Sequence, residues 1–265
     1  MPAAYFRSIC TRVMLARSDD FKDQTLNGVL LDFEFHVIDG ITKPICTAVA
    51  TDGARIHILR LPQMMIDVRA TRLRALPPTC IVSAGFFEYM REIVQHEWVG
   101  LEFSAGQLVA RGDDYVTVAK VSIEGRSSTR DLASWRKVNI EHPGHWLAAA
   151  PKIAQVVKSA SLGDTAEECR LQIDGIKDRL TISSSNKSGD RFSESISVRG
   201  FDGPPLVDLN LSVPYLRDAL LASQSGLVRL SFSHDLAIQA TSPVVIRGED
   251  EQFKAIIMPR AQESS

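Results

Sequence analysis

Between residues 5 and 17, Phe6, Ile9, Cys10, Val13 and Met14 recur at the spacing of one helix face, while Arg7, Ser8, Thr11 and Arg12 fall on the other. That spacing predicts an amphipathic helix. Past the polar stretch Asp19 to Thr25 the period changes to two. Leu31, Phe33, Phe35 and Val37 alternate with Asp32, Glu34 and His36, the pattern of a half-buried antiparallel strand. Asp39-Gly40 signals a hairpin into a second strand through Cys46 to Val49, and Asp52-Gly53 a turn into a third from Ile56 to Leu61. The plan then recurs. Phe86, Phe87, Met90, Ile93 and Val94 carry helical spacing, followed by strands near Leu101 to Phe103, Gln107 to Arg111 and Val116 to Ile123, with Asp113-Asp114 as the turn between the last two. The second half predicts a helix over Ala149 to Ser159, strands at Cys169 to Ile173 and Arg179 to Ser184, and a helix from Val213 to Ser223. Strands at Val228 to Phe232, Leu236 to Gln239, Val244 to Arg247 and Lys254 to Met258 complete it.

The halves resemble each other at the level of letters. Ile38-Asp39-Gly40-Ile41 recurs as Ile173-Asp174-Gly175-Ile176, at an offset of 135. Ser83, Leu101, Phe103 and Ser104 recur as Ser212, Leu230, Phe232 and Ser233, at an offset of 129, which fits one shorter loop between the anchors. The expectation is an α+β protein of two like domains, residues 1–128 and 129–265, joined in the polar stretch Gly125 to Trp135.

Composition narrows the function. With 45% hydrophobic and 23% charged residues among 265, the chain is neither disordered nor fibrous. Its formal net charge of −2 excludes a histone-like or tail-driven DNA binder, so any nucleic-acid contact must come from a local patch. Cys10, Cys46, Cys80 and Cys169 are widely spaced without a CxxC pair and read as reduced core thiols. Arg7, Arg12, Arg17, Asp19 and Asp20 interrupt the first 20 residues, and no apolar run is long enough to span a bilayer. A cytoplasmic protein without membrane contact is expected.

Catalytic chemistry finds no foothold. His142 and His145 flank a Pro-Gly turn and lack a third metal ligand at recognisable spacing. Ser183 to Asp190 lacks the glycine spacing of a phosphate cradle and reads as a solvated loop. There is no Walker motif, dinucleotide fingerprint or nucleophile elbow, so neither an enzyme nor a cofactor is expected.

Three segments carry a family likeness. Ala50-Thr51-Asp52-Gly53-Ala54-Arg55-Ile56 resembles the ATDGHRL segment of bacterial beta sliding clamps, the processivity subunit of DNA polymerase III. Leu211 to Leu220 (LSVPYLRDAL) is similar to the family's last helix. Ser242 to Arg247 (SPVVIR) and Ala255 to Pro259 (AIIMP) are similar to its closing strands. The resemblance covers nearly the whole chain but only the middle and last of the family's three domains, each a doubled helix-plus-strands unit. Ala54 stands where the family has His, the FPDY-like segment between domains is replaced by Arg130 to Val138 around Trp135, and Arg260-Ala261-Gln262 follows Pro259.

Such a fold implies a ring whose helices line a hole for duplex DNA and touch phosphates without reading bases, which permits sliding. Helical wheels leave Arg7, Arg12, Arg91, Lys152 and Arg217 facing solvent, opposed by Glu88, Glu92 and Asp218; Arg17 and Lys22 follow at the helix end and in the next loop. These are the DNA-contact candidates, against the plainer reading of solubilising helix charges. The resemblance also implies a client pocket between domains, for short peptide motifs of DNA polymerase, clamp loader and repair proteins. By position its wall comprises Leu26, Thr51, Gly53, Arg55, Ile56, Tyr215, Ile256, Met258 and Pro259; for Ile256 and Met258 a buried strand face, and for Gly53 a hairpin glycine, is the alternative. Rings of six domains make a two-domain chain a homotrimer, associated with the nucleoid. The rival is a clamp-fold adaptor or decoy that binds clamp clients without encircling DNA.

Overall fold

The first helical pattern does not close as one continuous helix. A helix α1 (Ala3–Ser8) passes into a π-helical turn, Ile9–Val13, and a 3-10 turn, Met14–Ala16, which together bury Phe6, Ile9, Val13 and Ala16. The computed structural model describes residues 1–20, 22, 26–38, 41–62, 79–94, 97–104, 106–123, 135–136, 140–163 and 165–261. These fall into two compact units, Met1–Val138 and Asn139–Ser265. The hairpin Asp39-Gly40 and the expected boundary at 128/129 lie outside the described residues.

Unit 1 continues with β1 (Gly28–Ile38), β2 (Ile41–Thr51), β3 (Arg55–Leu61), β4 (Thr79–Ser83), α2 (Ala84–Ile93), β5 (Gly100–Ser104), β6 (Gln107–Arg111) and β7 (Val116–Ile123). Its strands pair antiparallel in the order β3-β2-β1-β4-β7-β6-β5. Unit 2 comprises β8 (His145–Ala149), α3 (Ala150–Ala160), β9 (Glu168–Asp174), β10 (Arg179–Ser185), β11 (Arg191–Ser197), β12 (Arg199–Phe201), β13 (Leu206–Ser212) and α4 (Val213–Ser223). It closes with β14 (Leu227–Ser231), α5 (Leu236–Gln239), β15 (Val244–Gly248) and β16 (Phe253–Ile257). Here the orders are β11-β10-β9-β13 and β12-β8-β14-β15-β16.

The internal repeat is structural. The two Ile-Asp-Gly-Ile segments end β1 and β9 before β2 and β10, and Ser83 and Ser212 are the N-cap residues of α2 and α4. The pairing of β8 with β14 has a remnant in unit 1, where Pro2 bridges Trp98. Each unit is thus a doubled helix-plus-strands motif of α+β class.

Cross-strand rows form the core. In unit 1 Cys80, Leu31, Ala48 and Leu59 align across four strands, and on the opposite face Ile81, Leu30, Val49 and Ile58; all are buried. The start of β1 is therefore buried on both faces rather than one. Asp32 shares the second face, and its carboxylate accepts hydrogen bonds from Arg136, at 2.5 Å, beside the buried Trp135. In unit 2, Leu209-Leu171-Ile182 and Val207-Ile173-Leu180 are buried rows on a single face, with α3 packed on β10 and β11 and α4 on β15 and β16.

Two expectations are corrected. Leu236 to Gln239 is a helical turn, not a strand, because Asp235 caps it by accepting the Ala237 N–H at 2.9 Å. Arg12 is buried, not solvent-facing: a wheel drawn at 3.6 residues per turn loses register where the π turn begins at Ile9. Strands β4, β8, β11, β12 and β13 were not legible in the sequence pattern. The four thiols are buried, and burial pushes those of Cys80 and Cys169 up to about 12.

His57 sits fully buried on β3, its Nδ1–H donating to the Arg12 carbonyl at 2.6 Å. Burial pushes its pKa down to about 3; the Arg12 hydrogen bond opposes this and the Arg55 cation reinforces it. The unfolded chain, with a His pKa of about 6.5, takes up a proton that the folded chain refuses, so this stabilisation is complete above about pH 6.5 and is lost as pH falls. Denaturant titrations between pH 6.5 and 5 should lose about 1.4 kcal/mol per pH unit, and His57→Gln should flatten that slope. An unchanged slope in the variant assigns the acid sensitivity to another group.

Candidate nucleic-acid and peptide surfaces

The helices pair within each unit, and their apolar sides leave one polar side exposed. In unit 1, α1 meets α2 through Phe6, whose ring centroid is 6.4 Å from those of Phe86 and Phe87. Arg7, Thr11, Glu88, Tyr89, Arg91 and Glu92 are exposed. Arg17 pairs with Glu88 at 2.8 Å, and Arg91 with Glu92 at 2.6 Å. Lys22 is exposed, its backbone N–H donating to Asp20 at 2.9 Å. Arg12 does not join this surface.

In unit 2, α3 packs beside α4, and Lys152, Lys158 and Arg217 are exposed. Arg217 lies 3.5 Å from Asp218, whereas Lys152, Lys158 and, in unit 1, Arg7 have no carboxylate partner among the described residues. None of α2, α3 and α4 has an acidic residue in its first turn, so the positive helix ends are not neutralised there. Lys158 was missed by the sequence reading, although it lies on the helix that the reading placed correctly.

The expected pocket residues divide between the units. In unit 1, Thr51, Gly53 and Arg55 are gathered by the turn joining β2 to β3. Thr51 Oγ1 accepts the Gly53 N–H, and Asp52 accepts the N–H groups of Ala54 and Arg55 and the Arg55 Nε–H, each at 3.0 Å. Gly53 has φ +96°, a backbone conformation that favours glycine. Asp52 thus organises the turn that the sequence placed at Asp52-Gly53. Ile56, opposite Thr51 in the ladder, is buried. Leu26 is buried before β1, its carbonyl accepting the Ser18 N–H at 2.9 Å.

In unit 2, Tyr215 in the first turn of α4 is half-exposed, Met258 is 42% exposed and Pro259 half-exposed, while Ile256 is buried in β16. A ligand can reach Tyr215, Met258 and Pro259 but not the buried Ile256. The two histidines of the expected turn have structural partners: the His142 ring lies 2.8 Å from the Pro243 carbonyl, and His145 stacks on Phe201.

No family model and no curated protein matches the chain. Solved structures do. The chain is similar to the DNA polymerase III subunit beta of Pseudomonas aeruginosa, with a TM-score of 0.78 at 16% identity, and to that of Thermotoga maritima, 0.79 at 14%. It is also similar to a putative beta subunit of Eubacterium rectale, 0.77 at 12%. In each case 99% of this chain and 65% of the other is covered, so the chain spans less than two thirds of the length of these structures. The fold is that of the DNA sliding clamps. Its structural neighbours are bacterial DNA polymerase III beta subunits.

The burial difference between pocket residues has a measurable consequence. Ile256→Ala should cost about 2–5 kcal/mol of stability as a core truncation, and Met258→Ala less than about 1 kcal/mol. Equal losses by chemical denaturation would place Met258 in the core with Ile256.

Proposed function

We propose that this protein is a DNA sliding clamp, a ring-forming processivity factor that tethers polymerase and other clients to duplex DNA. The observation that carries this reading is the exposed side of the paired helices, with Arg7, Lys152, Lys158 and Arg217, on a fold shared with sliding clamps. The exposed pairs Arg17–Glu88 and Arg91–Glu92 are worth at most about 1 kcal/mol each and can exchange a carboxylate for a phosphate. Contacts of this kind hold the duplex without fixing a register. The role is binding and tethering, in the cytoplasm at the nucleoid, with no chemistry and no cofactor.

Two open edges support assembly. Among the described residues, Val116–Lys120 of β7 pair only with β6, since β4 reaches just Val121–Ile123, and Val116 and Val118 are more than half exposed. In unit 2, β11 ends its sheet. An open strand edge with exposed Val side chains is a template for another strand. A heterologous contact between the β7 edge of one copy and the β11 edge of the next closes at three copies if the ring holds six domains.

Native mass measurement of the 265-residue protein in low salt should therefore give three times the chain mass, and Val118→Glu should reduce it to monomer. A monomer for the unaltered protein favours the adaptor reading, which the Glu88 and Glu92 charges on α2 would also suit.

For DNA, Lys152→Glu, Lys158→Glu and Arg217→Glu together should weaken duplex binding about equally for all sequences. The slope of log affinity against log salt should fall by roughly one unit per lost phosphate contact. Unchanged retention on circular DNA removes these residues from the channel. Client peptides of the polymerase and clamp loader are proposed to dock at Thr51, Gly53 and Arg55 and at Tyr215, Met258 and Pro259. Tyr215→Ala should cost about 1–2 kcal/mol of peptide affinity with stability nearly intact; lost stability with intact affinity would make Tyr215 structural.

A further inference from the structure

Unit 2 has a concave site on the face of its second sheet opposite to the buried Trp146, Val228 and Leu230. His145 and Leu147 project there from β8, matched across the ladder by Phe201 and Arg199 of β12 and, for Leu147, by Arg229 of β14. His145, Leu147, Phe201 and Arg229, together with Leu227 and Glu249, line a cleft of about 340 Å³. The His145 and Phe201 rings stack with centroids 5.3 Å apart and planes 10° from parallel, and the Arg199 guanidinium lies 5.1 Å from the Phe201 centroid. Phe201 and Leu227, 39% and 42% exposed, leave apolar surface uncovered.

The strand beside this cleft is an edge held in place from behind. β12 ends its sheet, so its outer N–H and C=O groups have no ladder partner among the described residues. Gly200 and Gly203 press on the Trp146 indole: a Cβ at Gly200 would lie 3.0 Å from the ring, and one at Gly203 2.5 Å from Nε1. Trp146 Nε1–H donates to the Pro204 carbonyl at 3.2 Å. Gly144 passes so close to the Asp202 carbonyl that no side chain fits between them. An edge fixed in this way is ordered before anything binds, which lowers the cost of binding.

The charges select the occupant. Arg229 is paired with Glu251 at 2.6 Å, and Glu249 accepts from Ser225 Oγ and the Leu227 N–H. Arg199 has no carboxylate partner among the described residues. We propose that β12 docks an extended segment of a partner protein, which adds as the next strand and sets an apolar side chain against Phe201 and a carboxylate beside Arg199. Arg199 and Phe201 share a face, so the two ligand side chains stand two residues apart, as alternate residues of a strand do. The site is made of residues other than those of the expected client pocket and does not depend on DNA being encircled.

The test titrates the full protein with a fluorescein-labelled peptide, Thr-Val-Asp-Thr-Phe-Thr-Val-Thr, followed by anisotropy. Saturable binding is expected. Phe201→Ala and Arg199→Glu should each weaken it by about tenfold or more, and N-methylation of the alternate amides that face β12 should abolish it. Both side chains are exposed, so melting temperatures should stay unchanged; if Phe201→Ala lowers stability, Arg199→Glu decides alone. Affinity unchanged in the variants, binding that survives N-methylation, or no binding at millimolar peptide overturns the proposal. A drop in assembly mass on Phe201→Ala also overturns it, by showing that a second copy of this chain fills the site.

Discussion

Each unit depends on its sheets keeping one apolar face under a pair of helices. The rows through Leu31 and through Leu171 are closed to water, and a helix that covers them has only its opposite side left for charge. The exposed positions of Arg7, Arg91, Lys152, Lys158 and Arg217 are therefore consequences of packing before any binding role. Arg12 shows the same constraint from the other side. It lies in the π turn, where the backbone leaves α geometry, and its side chain is drawn into the unit with His57 bonded to its carbonyl.

Charge holds the described residues on each side of the unit boundary, Arg136 within unit 1 and Glu141 within unit 2. On unit 1, Asp32 is almost fully buried, which raises its pKa, and Arg136 opposes that rise through an ion pair. Removing Arg136 would leave a buried carboxylate uncompensated, the costly half of any buried pair. On unit 2, burial lowers the pKa of Lys254, and Glu141 offsets that while also pairing with Arg247. Trp135 is buried, and the Arg136 guanidinium lies 5.7 Å from its ring centroid. Arg136 thus has a mechanical role of its own.

Strong periodicity was the legible part of the fold. The α4 pattern gave Val213 to Ser223 without error, and β6 and β7 were read at their observed limits; in α4 and β6 an apolar side faces the core and a more polar side faces water, whereas β7 also exposes Val116 and Val118. Strands without that contrast escaped. β11, Arg-Phe-Ser-Glu-Ser-Ile-Ser, is mostly exposed and rich in serine, and β12 has three residues. β4 is apolar through Cys80, Ile81 and Val82, since both its faces are covered, so it shows no alternation. Leu236 to Gln239 misled because four residues cannot distinguish the two periods, and the cap at Asp235 decided the outcome. Among the site residues, exposure at Met258 and burial at Ile256 could not be separated by pattern, since the two lie two positions apart and share a strand parity. The cleft at Phe201 was illegible because it requires β12 to lie beside β8, a pairing between residues more than fifty positions apart.

The fold is shared with structures at 12–16% identity, and the repeat within the chain shows how so few letters suffice. Burial rows tolerate exchange among Val, Ile, Leu, Ala and Cys as long as side and volume are kept, so they leave a pattern rather than a spelling. Turns are less forgiving. In Ile173-Asp174-Gly175-Ile176, Asp174 Oδ1 accepts the N–H groups of Ile176 and Lys177, and Gly175 donates to the Pro205 carbonyl at 2.8 Å, where a Cβ would come within 2.7 Å of that oxygen. Asp52 does the corresponding work for Ala54 and Arg55, with Gly53 at positive φ. Side-chain length, acceptor geometry and the absence of a Cβ are each required at these positions. The letters that carried the likeness at Ala50 to Ile56, and Asp174-Gly175 of the internal repeat, therefore stand where the backbone needs particular chemistry, and much of the rest of the fold is specified by which side of each strand is dry.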